Sequence, residues 1–337
     1  MATIKDVAKR AGVSVATVSR VMNAADTVKD DTRAIVEKAI EELNYSPNEL
    51  GRGLRRNATM RILVVLSTIS NQFHSRVLRG IEDTAGENGY SVLIGTTRDR
   101  METLARYHDM LRTRQVDGAI FMSTHLKDRE EIEFFGEGYP VVCACEPMEG
   151  IDVSYVGIND YQAAADATEY LISLGHRRIS LLTGGTQMRT SGSAWLREQG
   201  FRSVMEAHGL PVEENLIIAE GVTYNAGRRA AARYLAMEQL PDAVFSCSDA
   251  GAVGLINSMW KAGVRVPEKL SVMGFDNIAV SEVIYPSVTT IAQPQYEIGQ
   301  KAMEMLLARL NHTTEKTETI YLPHTLIERE STIRHKA

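Results

Sequence analysis

Residues 3–23 of the chain, TIKDVAKRAGVSVATVSRVMN, have the spacing of two short helices joined by a tight turn. Thr3 is placed to cap the first helix, and Asp6 stands where a carboxylate completes a capping box. Gly12 interrupts the helical pattern, because glycine readily adopts the conformation that ends a helix. Ser14 is placed to cap the second helix. The stretch therefore predicts a helix, a turn and a second helix.

A third helix is predicted from about residue 31 to residue 43, and Asn44 suits a left-handed conformation at its end. Its predicted apolar face consists of Ile35, Val36, Ala39, Ile40 and Leu43. Three such helices form a helix-turn-helix unit when small and apolar residues support the second helix. The candidates for this support are Ala8, Gly12, Val13, Val18 and Val21.

The outer face of the second helix suits DNA. Arg20 can pair with a guanine edge through two hydrogen bonds. Val15 and Ala16 can offer apolar contacts, such as with a thymine methyl group, whereas Thr17, Ser19 and the helix N-terminus suit phosphate. The alternative is three helices packed for another purpose, with serine and threonine acting as caps. The spacing alone leaves both interpretations open.

Charge is divided unevenly along the chain. The net charge is −6, yet residues 1–60 hold ten Lys and Arg against eight Asp and Glu, while the remainder holds 27 against 35. This division is expected if only the first segment contacts phosphate.

Several classes of protein are disfavoured. No apolar run is long enough to span a membrane, and the N-terminus lacks the layout of a secretory signal, so we expect a cytoplasmic protein without a membrane partner. Cys143 and Cys145 lie two apart in an apolar stretch, where we expect them to share one face of a strand and pack in the core. No phosphate-binding glycine loop, nucleophile elbow or paired metal spacing occurs, so we expect neither an enzyme nor a cofactor.

From Arg61 onward, strands alternate with amphipathic helices, which predicts doubly wound parallel sheets. Buried strands are predicted at residues 62–66, 92–95, 118–122, 141–144, 155–158, 179–182, 243–247 and 270–274. A helix that closes on glycine before a strand occurs at residues 80–89 and again at 200–209, which indicates two similar lobes. Ligands of such sheets bind beyond the carboxyl ends of the strands, so the cleft between the lobes is the expected site.

Two sets of motifs extend over essentially the whole chain. The first set is Thr3-Ile4-Lys5-Asp6-Val7-Ala8, Val13-Ser14, Thr17-Val18-Ser19-Arg20-Val21, Asn23, Thr32-Arg33, Tyr45 and Pro47-Asn48. The second set is Val116-Asp117-Gly118, Leu174-Gly175-His176, Arg197, Gly200-Phe201, Gly274-Phe275-Asp276-Asn277, Thr289-Thr290-Ile291 and Gln293-Pro294. Together they strongly resemble the LacI (lactose repressor) and GalR family of regulators. The resemblance implies an all-α helix-turn-helix headpiece followed by a two-lobed α/β domain of the periplasmic-binding-protein type, with parallel doubly wound sheets.

The implied organisation has three parts. Residues 1–45 would form the DNA-binding headpiece, residues 46–60 a hinge helix or linker, and residues 61–337 the effector-binding and dimerisation domain. The two lobes of that domain would comprise about 61–160 plus 292–320, and about 161–290 plus 321–337. No leucine heptad follows the last predicted strand, so we expect a homodimer rather than a tetramer.

The resemblance further implies that the two headpieces of a dimer read a pseudo-palindromic operator in double-stranded DNA. Leu54 is then the candidate for an apolar wedge that kinks the duplex from the minor groove, although it can also be an ordinary linker residue. Gly51 and Gly53 weaken the hinge helix, which we expect to fold only with help. The predicted DNA contacts are Thr3, Ser14, Val15, Ala16, Thr17, Ser19, Arg20, Asn23, Arg52, Leu54 and Arg55.

Effector contacts are implied on the loops that border the cleft. Phe73 can offer an aromatic face, Arg197 a forked donor and Asp276 a carboxylate that accepts hydroxyls. Trp195 can equally be a packing residue, and Asp249 can equally cap the following helix. The predicted effector contacts are Asn71, Gln72, Phe73, Trp195, Arg197, Tyr224, Asp249 and Asp276. His74 and Arg189 stand near the mouth, and we expect His74 on the surface.

The effector is expected to be a sugar or a nucleoside. Residues 291–299 resemble the cytidine-responsive branch, whereas residues 121–123 and 322–324 resemble the catabolite-control branch. The latter branch docks a phosphorylated carrier protein through residues such as Tyr296 and Glu297. That partner is disfavoured here, because the carboxylate of Glu304 would repel a phosphoserine.

Two positions depart from the family pattern. Lys29 stands where serine or threonine is a common cap, so we expect Asp30 to cap the third helix. Asn159-Asp160 inverts a common Asp-Asn pair, which leaves the role of Asp160 open.

These patterns predict a DNA-binding transcription regulator, a dimeric repressor whose operator affinity is set by a small effector in the cleft. One alternative is a periplasmic solute-binding protein, which the headpiece and the missing signal disfavour. Another is a small-molecule enzyme, for which no catalytic constellation is found.

Overall fold

The computed structural model describes residues 2–23, 28–45, 58–98, 100–122, 138–147, 151–185, 192–314 and 316–335. The chain divides into two compact units, Met1–Thr59 and Met60–Ala337. The first contains helices and the second contains two sheets with helices, which confirms the predicted fold class. Most of the predicted hinge lies outside the described residues, as do Arg52, Leu54, Arg55 and Arg189.

The smaller unit contains the helices α1 (Ile4–Ala11), α2 (Val15–Asn23) and α3 (Asp30–Glu42). Thr3 caps α1 as predicted, and the Asp6 carboxylate accepts a hydrogen bond from the backbone N of Thr3 at 2.8 Å. Hydrogen bonds from Thr3 favour the charged carboxylate and so lower the pKa of Asp6. The helix ends at Gly12, whose φ of +67° is a left-handed conformation that glycine adopts readily. Ser14 caps α2 by accepting from the backbone N of Thr17 at 3.1 Å.

The core of this unit is formed by small and branched apolar side chains from all three helices. The buried members are Val7, Ala8, Val18, Val21, Val36 and Ala39. Ile35 was predicted on the same face but is 53% exposed, because it lies about 100° around the helix from Val36. Asp30 does not cap α3; Lys29 holds the cap position without a side-chain hydrogen bond. Asn44 has the predicted left-handed conformation, with a φ of +45°.

The larger unit is built on two six-stranded sheets. The first sheet has the spatial order β11 (Thr319–Tyr321), β5 (Ser154–Gly157), β4 (Val141–Ala144), β3 (Gly118–Phe121), β1 (Arg61–Leu66) and β2 (Ser91–Thr96). The second has the order β12 (Thr325–Ile327), β10 (Thr289–Ala292), β9 (Ser271–Asp276), β8 (Ala243–Ser246), β6 (Ile179–Leu182) and β7 (Ile217–Ile218). Neighbouring strands are parallel except for β10 and β12. Such sheets require the crossover helices that the sequence predicts.

Helices cover both sheets. They are α4 (Gln72–Glu87), α5 (Met101–Arg112), α6 (Asp160–Ser173), α7 (Gly192–Ala207), α8 (Tyr224–Leu235), α9 (Asp249–Lys261), α10 (Ala279–Val283) and α11 (Gln295–Leu310). The closest helix pairs are α4 with α11, α6 with α7, and α8 with α9. In the first pair, a Cβ on Gly80 would lie 2.1 Å from the carbonyl O of Tyr296, and one on Gly299 would lie 2.0 Å from that of Val77. Glycine at both positions therefore lets the two helix backbones touch.

The chain passes between the two sheets after β5, after β10 and between β11 and β12. The first lobe accordingly holds the sheet with β1 to β5 and β11, and the second holds the sheet with β6 to β10 and β12. Strands β10, β11 and β12 are absent from the sequence prediction because each has only three or four residues and none contains a continuous apolar run.

The edge strand β2 is partly exposed, although the sequence predicts a buried strand at residues 92–95. It pairs with β1 on one side and, among the described residues, has no strand on the other; Leu93 is 36% exposed and Ile94 is 54% exposed. Among the described residues, no helix is both long enough and apolar enough to cross a membrane.

Candidate functional site

A cavity of about 120 Å³ lies between the two lobes, beyond the carboxyl ends of strands from both sheets. The first lobe contributes residues that follow β1, β3 and β4, and the second contributes the start of α7, the residues after β8 and the end of β9. The lining residues are Ser67, Asn71, Phe73, His74, Met122, Cys145, Glu146, Ser193, Ala194, Arg197, Val222, Cys247, Ser248 and Asp276. Ligands of doubly wound sheets bind at this position.

Arg197 projects into this cavity from α7 and is held on several sides. Its Nε donates to Oδ1 of Asp160 at 2.8 Å, and its Nη1 donates to the carbonyl O of Cys247 at 2.7 Å. The same Nη1 lies 3.9 Å from Oδ1 of Asp276. The guanidinium carbon is 3.8 Å from the centre of the Phe275 ring, which is close enough for a cation–π contact. These contacts fix the orientation of the arginine.

The two residues of the inverted pair Asn159-Asp160 have separate roles. Asn159 caps α6 by accepting from the backbone N of Gln162 at 3.0 Å. Asp160 is the first residue of that helix and turns its buried carboxylate to Arg197. The role of Asp160 that the sequence left open is therefore that of a counter-ion.

Burial raises the pKa of the two carboxyl groups beside this arginine and that of a third, Asp249. It raises the pKa of Asp160, that of Asp249 to about 6 and that of Asp276 to about 8. The charge of Arg197 opposes the shift at Asp160 and Asp276 but does not cancel it.

Asp276 has a φ of +109°, a conformation that residues with a side chain rarely adopt. Two glutamines from the segment after β10 hold it there. Gln293 Nε2 donates to Oδ1 of Asp276 at 2.7 Å, and Gln295 Nε2 donates to its carbonyl O at 2.6 Å. The segment that joins the two lobes therefore positions a residue that lines the cavity.

Asp249 lies behind the cavity wall rather than on it. Its Oδ2 accepts from the backbone N of Ile278 at 2.9 Å and from Ser281 Oγ at 2.7 Å, and its Oδ1 accepts from Thr290 Oγ1 at 2.7 Å. Ser248, not Asp249, caps α9. With these three bonds, Asp249 anchors the loop that carries Asp276.

Glu146 links the two lobes across the cavity. It follows β4 of the first lobe, and its carboxylate accepts from the backbone N of Ser193 at 2.8 Å and from Ser193 Oγ at 2.7 Å. Ser193 belongs to the first turn of α7 in the second lobe. The carboxylate thus occupies the N-terminal end of a helix, where the helix dipole favours negative charge.

The start of α4 forms the opposite wall. Asn71 caps this helix by accepting from the backbone N of Phe73 at 3.1 Å. Phe73 and His74 are both buried, with their ring centres 5.7 Å apart. The expectation that His74 lies on the surface is therefore wrong. Desolvation lowers the pKa of His74, so the ring is neutral at pH 7.

Four of the predicted effector contacts lie on the cavity wall: Asn71, Phe73, Arg197 and Asp276. Gln72, Trp195, Tyr224 and Asp249 do not line it. Several other lining residues are absent from the sequence prediction, among them Ser67, Glu146, Ser193 and Ser248. Three of them could have been predicted from their positions. Ser67, Glu146 and Ser248 stand one or two residues after the ends of strands that the sequence predicts.

The two neighbouring cysteines differ in environment. Cys143 is buried on β4 as predicted, but Cys145 lies just beyond the strand with a φ of +70° and lines the cavity. The change of backbone direction places the two side chains in different surroundings, so the expectation of one shared face is wrong. Burial raises the pKa of both thiols, which keeps them protonated at neutral pH.

The headpiece presents the outer face of α2 to solvent. Val15, Ala16 and Arg20 are exposed, and Thr17 and Ser19 are half-buried above the buried Val18 and Val21. Among the other predicted DNA contacts, Thr3 and Ser14 are exposed caps of α1 and α2, and Asn23 is the last residue of α2.

Comparisons with known proteins agree with this architecture. Residues 3–48 match the family described as bacterial regulatory proteins, lacI family, and residues 168–332 match the periplasmic binding protein-like domain. The HTH-type transcriptional repressor CytR of Escherichia coli K12 is 38% identical over 309 residues, which cover 92% of this chain and 90% of that repressor. The chain belongs to the LacI family. The ribose operon repressor of the same organism is 34% identical over 333 residues, covering 98% of this chain and all of the relative.

Solved structures of the LacI family share the fold. The lac repressor dimer bound to operator and the anti-inducer ONPF has a TM-score of 0.87 and 28% identity, with coverage of 98% of this chain and 99% of that one. The transcriptional regulator CelR in complex with cellobiose has a TM-score of 0.74 and 30% identity, covering 98% of this chain and all of that one. These comparisons confirm the prediction of a DNA-binding transcription regulator of the LacI family, whose relatives are repressors rather than enzymes.

Proposed function

We propose that this regulator is a homodimeric repressor whose affinity for a pseudo-palindromic operator is set by a sugar or nucleoside in the cleft between its lobes. The cavity supports the proposed binding of a ligand, because both lobes line it with polar groups. A ligand that contacts both lobes stabilises one of their arrangements over another, and such a shift alters DNA affinity when the arrangements differ in it.

The polar groups suit a ligand that is rich in hydroxyls. Phe73 offers an aromatic surface for the apolar face of a sugar ring or for a base. Asp276 offers a carboxyl group, and Arg197 is oriented as a donor by its contact with Asp160. The serine hydroxyls of the lining add groups that both donate and accept.

The size of the cavity favours a small ligand. An engineered cavity of about 150 Å³ holds benzene, so a cavity of about 120 Å³ that opens to solvent suits a single ring. This supports a monosaccharide more directly than a nucleoside, whose second ring must extend into the mouth. A LacI-family regulator from Enterococcus faecium with bound ribose, 29% identical over 82% of this chain, has a TM-score of 0.73, which agrees with this preference.

A thermal-shift screen of the full chain against sugars, nucleosides and purines tests the proposal. A ligand present at 100 times its dissociation constant stabilises the folded state by about 2.7 kcal/mol, which is readily measured. A hit should also change the affinity for operator DNA. A screen in which no sugar and no nucleoside shifts the melting temperature would contradict the proposed ligand class.

On the DNA side, we propose that Arg20 reads a base edge and that Thr3, Ser14, Thr17, Ser19 and Asn23 contact the backbone, with Val15 and Ala16 against apolar groups. Arg20→Ala should then weaken specific binding by about 1–3 kcal/mol and relax the preference at one base pair. Lys38→Ala, on the exposed side of α3, is the control and should leave base preference unchanged. Equal losses on operator and random DNA for Arg20→Ala would contradict base reading.

The proposed hinge contacts of Arg52, Leu54 and Arg55 lie outside the described residues and rest on the family resemblance. If Leu54 wedges into the minor groove, Leu54→Ala should reduce both operator affinity and the bending of the DNA. Unchanged bending in a gel-mobility assay with permuted sites would contradict the wedge.

Exposed apolar side chains on the second lobe support self-association. Val283 is 79% exposed and Tyr285 is 74% exposed, and the ring of Tyr285 lies 5.9 Å from that of Trp260. Apolar surface of this kind commonly marks an interface. Val283→Asp should shift the chain towards monomer in sedimentation equilibrium and weaken operator binding. A variant that stays dimeric would place the interface elsewhere.

We do not propose a phosphorylated carrier protein as a partner. Glu304 lies on the surface of α11, where Lys301 Nζ is 3.2 Å from its carboxylate. Asp83 of the adjacent α4 is also partly exposed and accepts from Tyr296 Oη at 3.1 Å. Carboxylates on this surface oppose a phosphoserine.

A further inference from the structure

The cavity carries more acidic than basic groups. Glu146 and Asp276 line it, and Asp160 contacts Arg197 from the side. Among the described lining residues, Arg197 is the sole permanent cation, since the buried His74 is neutral at pH 7. The described groups in and beside the cavity are therefore three carboxyl groups and one guanidinium, of which Asp160 and Asp276 lie next to the guanidinium.

That guanidinium is already paired. Its Nε and Nη1 donate to Asp160 and to the carbonyl O of Cys247, and Asp276 lies within 4 Å of Nη1. The guanidinium keeps further N–H groups for a ligand, but the buried carboxylate of Asp160 already balances its charge. Arg197 is therefore poorly suited to neutralise a phosphate.

One helix N-terminus at the cavity is likewise occupied by a carboxylate. A helix N-terminus that points into a cavity is a common phosphate site. At the N-terminus of α7 this position belongs to Glu146, which accepts from the backbone N and the hydroxyl of Ser193. Gly192 makes room for it, since a Cβ there would lie 2.2 Å from Glu146 Oε1.

We propose that the cleft selects uncharged polyhydroxyl ligands, that is, free sugars or nucleosides, and rejects their phosphate esters. The inference rests on the proposed function, because it specifies the ligand of that same site. Hydroxyl groups can donate to the carboxylates of Glu146 and Asp276, whereas a phosphate oxygen is an acceptor that faces them, and the described lining offers it no cation besides Arg197. For a buried phosphate and carboxylate about 6 Å apart, we expect binding to be weaker by about 100-fold.

The charges of the described lining disfavour a phosphate in both protonation states of Asp276. When Asp276 is protonated, Glu146 and Asp160 still oppose Arg197, and when it is ionised a third carboxylate joins them. In both states the described lining residues hold at least as many acidic groups as cations.

Isothermal titration of the full chain with matched pairs tests the inference at pH 7. The pairs are ribose and ribose 5-phosphate, glucose and glucose 6-phosphate, and cytidine and cytidine 5′-monophosphate. We expect at least one free compound to bind and its ester to bind about 100-fold more weakly. Equal or tighter binding of the ester would overturn the inference and leave the proposed function in place. If no member of any pair binds, both are overturned.

Two variants identify the source of the selectivity. Glu146→Gln removes a charge but keeps a side chain of the same size, so the preference for the free compound should fall by at least about tenfold. Ser193→Ala removes a hydrogen bond to Glu146 and keeps the charge, so the preference should remain. A preference that survives Glu146→Gln unchanged would overturn the role given to Glu146.

Discussion

Arg197 and Asp160 form a buried ion pair that joins α7 to the first turn of α6. The distance from Nε to Oδ1 is 2.8 Å, and the two side chains are 10% and 2% exposed. Because neither group is open to water, the pair holds its charges only as long as both partners are present. The same arginine lies at the cavity wall, so the contact that holds the two helices together also orients a proposed ligand donor.

Removing this arginine should destabilise the fold strongly. Arg197→Ala leaves Asp160 without its counter-ion, and the loss of one partner of a buried pair costs about 3–5 kcal/mol. Arg229→Ala is the matched control, because Arg229 Nε also lies 2.7 Å from a carboxylate, that of Glu220, but on the surface. The control should cost about 1 kcal/mol or less in urea denaturation. Similar losses for the two variants would contradict the importance of burial.

The contact between α4 and α11 gives a second prediction. Gly80→Ala should destabilise the chain by about 1–3 kcal/mol, because its Cβ would meet the carbonyl O of Tyr296 at 2.1 Å and the backbones must separate. Gly86 lies on the same helix, and a Cβ added there would have nothing within 4 Å, so Gly86→Ala should stabilise by up to about 1 kcal/mol. Thermal unfolding of the two variants checks the opposite signs. A neutral Gly80→Ala would show that the helices separate easily.

The elements that the sequence predicts well are those with local signals. The boundaries of α1 and α2 follow from Thr3, Gly12 and Ser14, whose roles depend on neighbours within four residues. The strands at the centres of the sheets follow from continuous apolar runs. Strand β12 has no such run, and its antiparallel pairing with β10 depends on residues that are distant in the chain.

The residues of the candidate site are harder to predict, because the direction of each side chain decides whether it lines the cavity. Trp195 and Arg197 are two positions apart on α7, which turns them about 200° from each other around the helix. Arg197 therefore lines the cavity while Trp195 does not. Asp249 stands beside a lining residue, but its carboxylate turns to Ile278, Ser281 and Thr290. Sequence position alone does not give these orientations.

Asp249 should affect ligand binding without touching the ligand. In Asp249→Asn, one oxygen becomes an amide nitrogen that faces donors, which should cost about 1–3 kcal/mol and loosen the loop of Asp276. The control is Asp242→Asn, since Asp242 Oδ2 accepts from the backbone N of Arg178 at 2.8 Å and does not line the cavity. Both variants should lose stability, but only Asp249→Asn should weaken ligand binding, by about tenfold for a loss of about 1.4 kcal/mol. Titration of a ligand identified by screening checks this, and parallel losses would contradict the anchoring role.

The raised pKa of Asp276 predicts a pH dependence of stability. Burial raises this pKa from 3.8 to about 8, with further increases from Asp249 and Asp160 and opposing effects from Arg197 and the hydrogen bond of Gln293. The folded chain therefore keeps a proton that the unfolded chain has released. The contribution of this proton to stability is complete below the ordinary pKa of an aspartate. It is lost as the pH rises towards and through 8.

Asp276→Asn should flatten this dependence. Asparagine keeps an oxygen for Gln293 and tolerates a positive φ, but it does not titrate. Between pH 6.5 and 7.5, the free energy of unfolding of the wild type should fall by up to about 1.4 kcal/mol per pH unit because of this group. That of the variant should fall less. This window lies above the pKa of Asp249, which is about 6. Urea denaturation at several pH values measures both slopes, and equal slopes would mean that Asp276 is already ionised throughout, with Arg197 outweighing its burial.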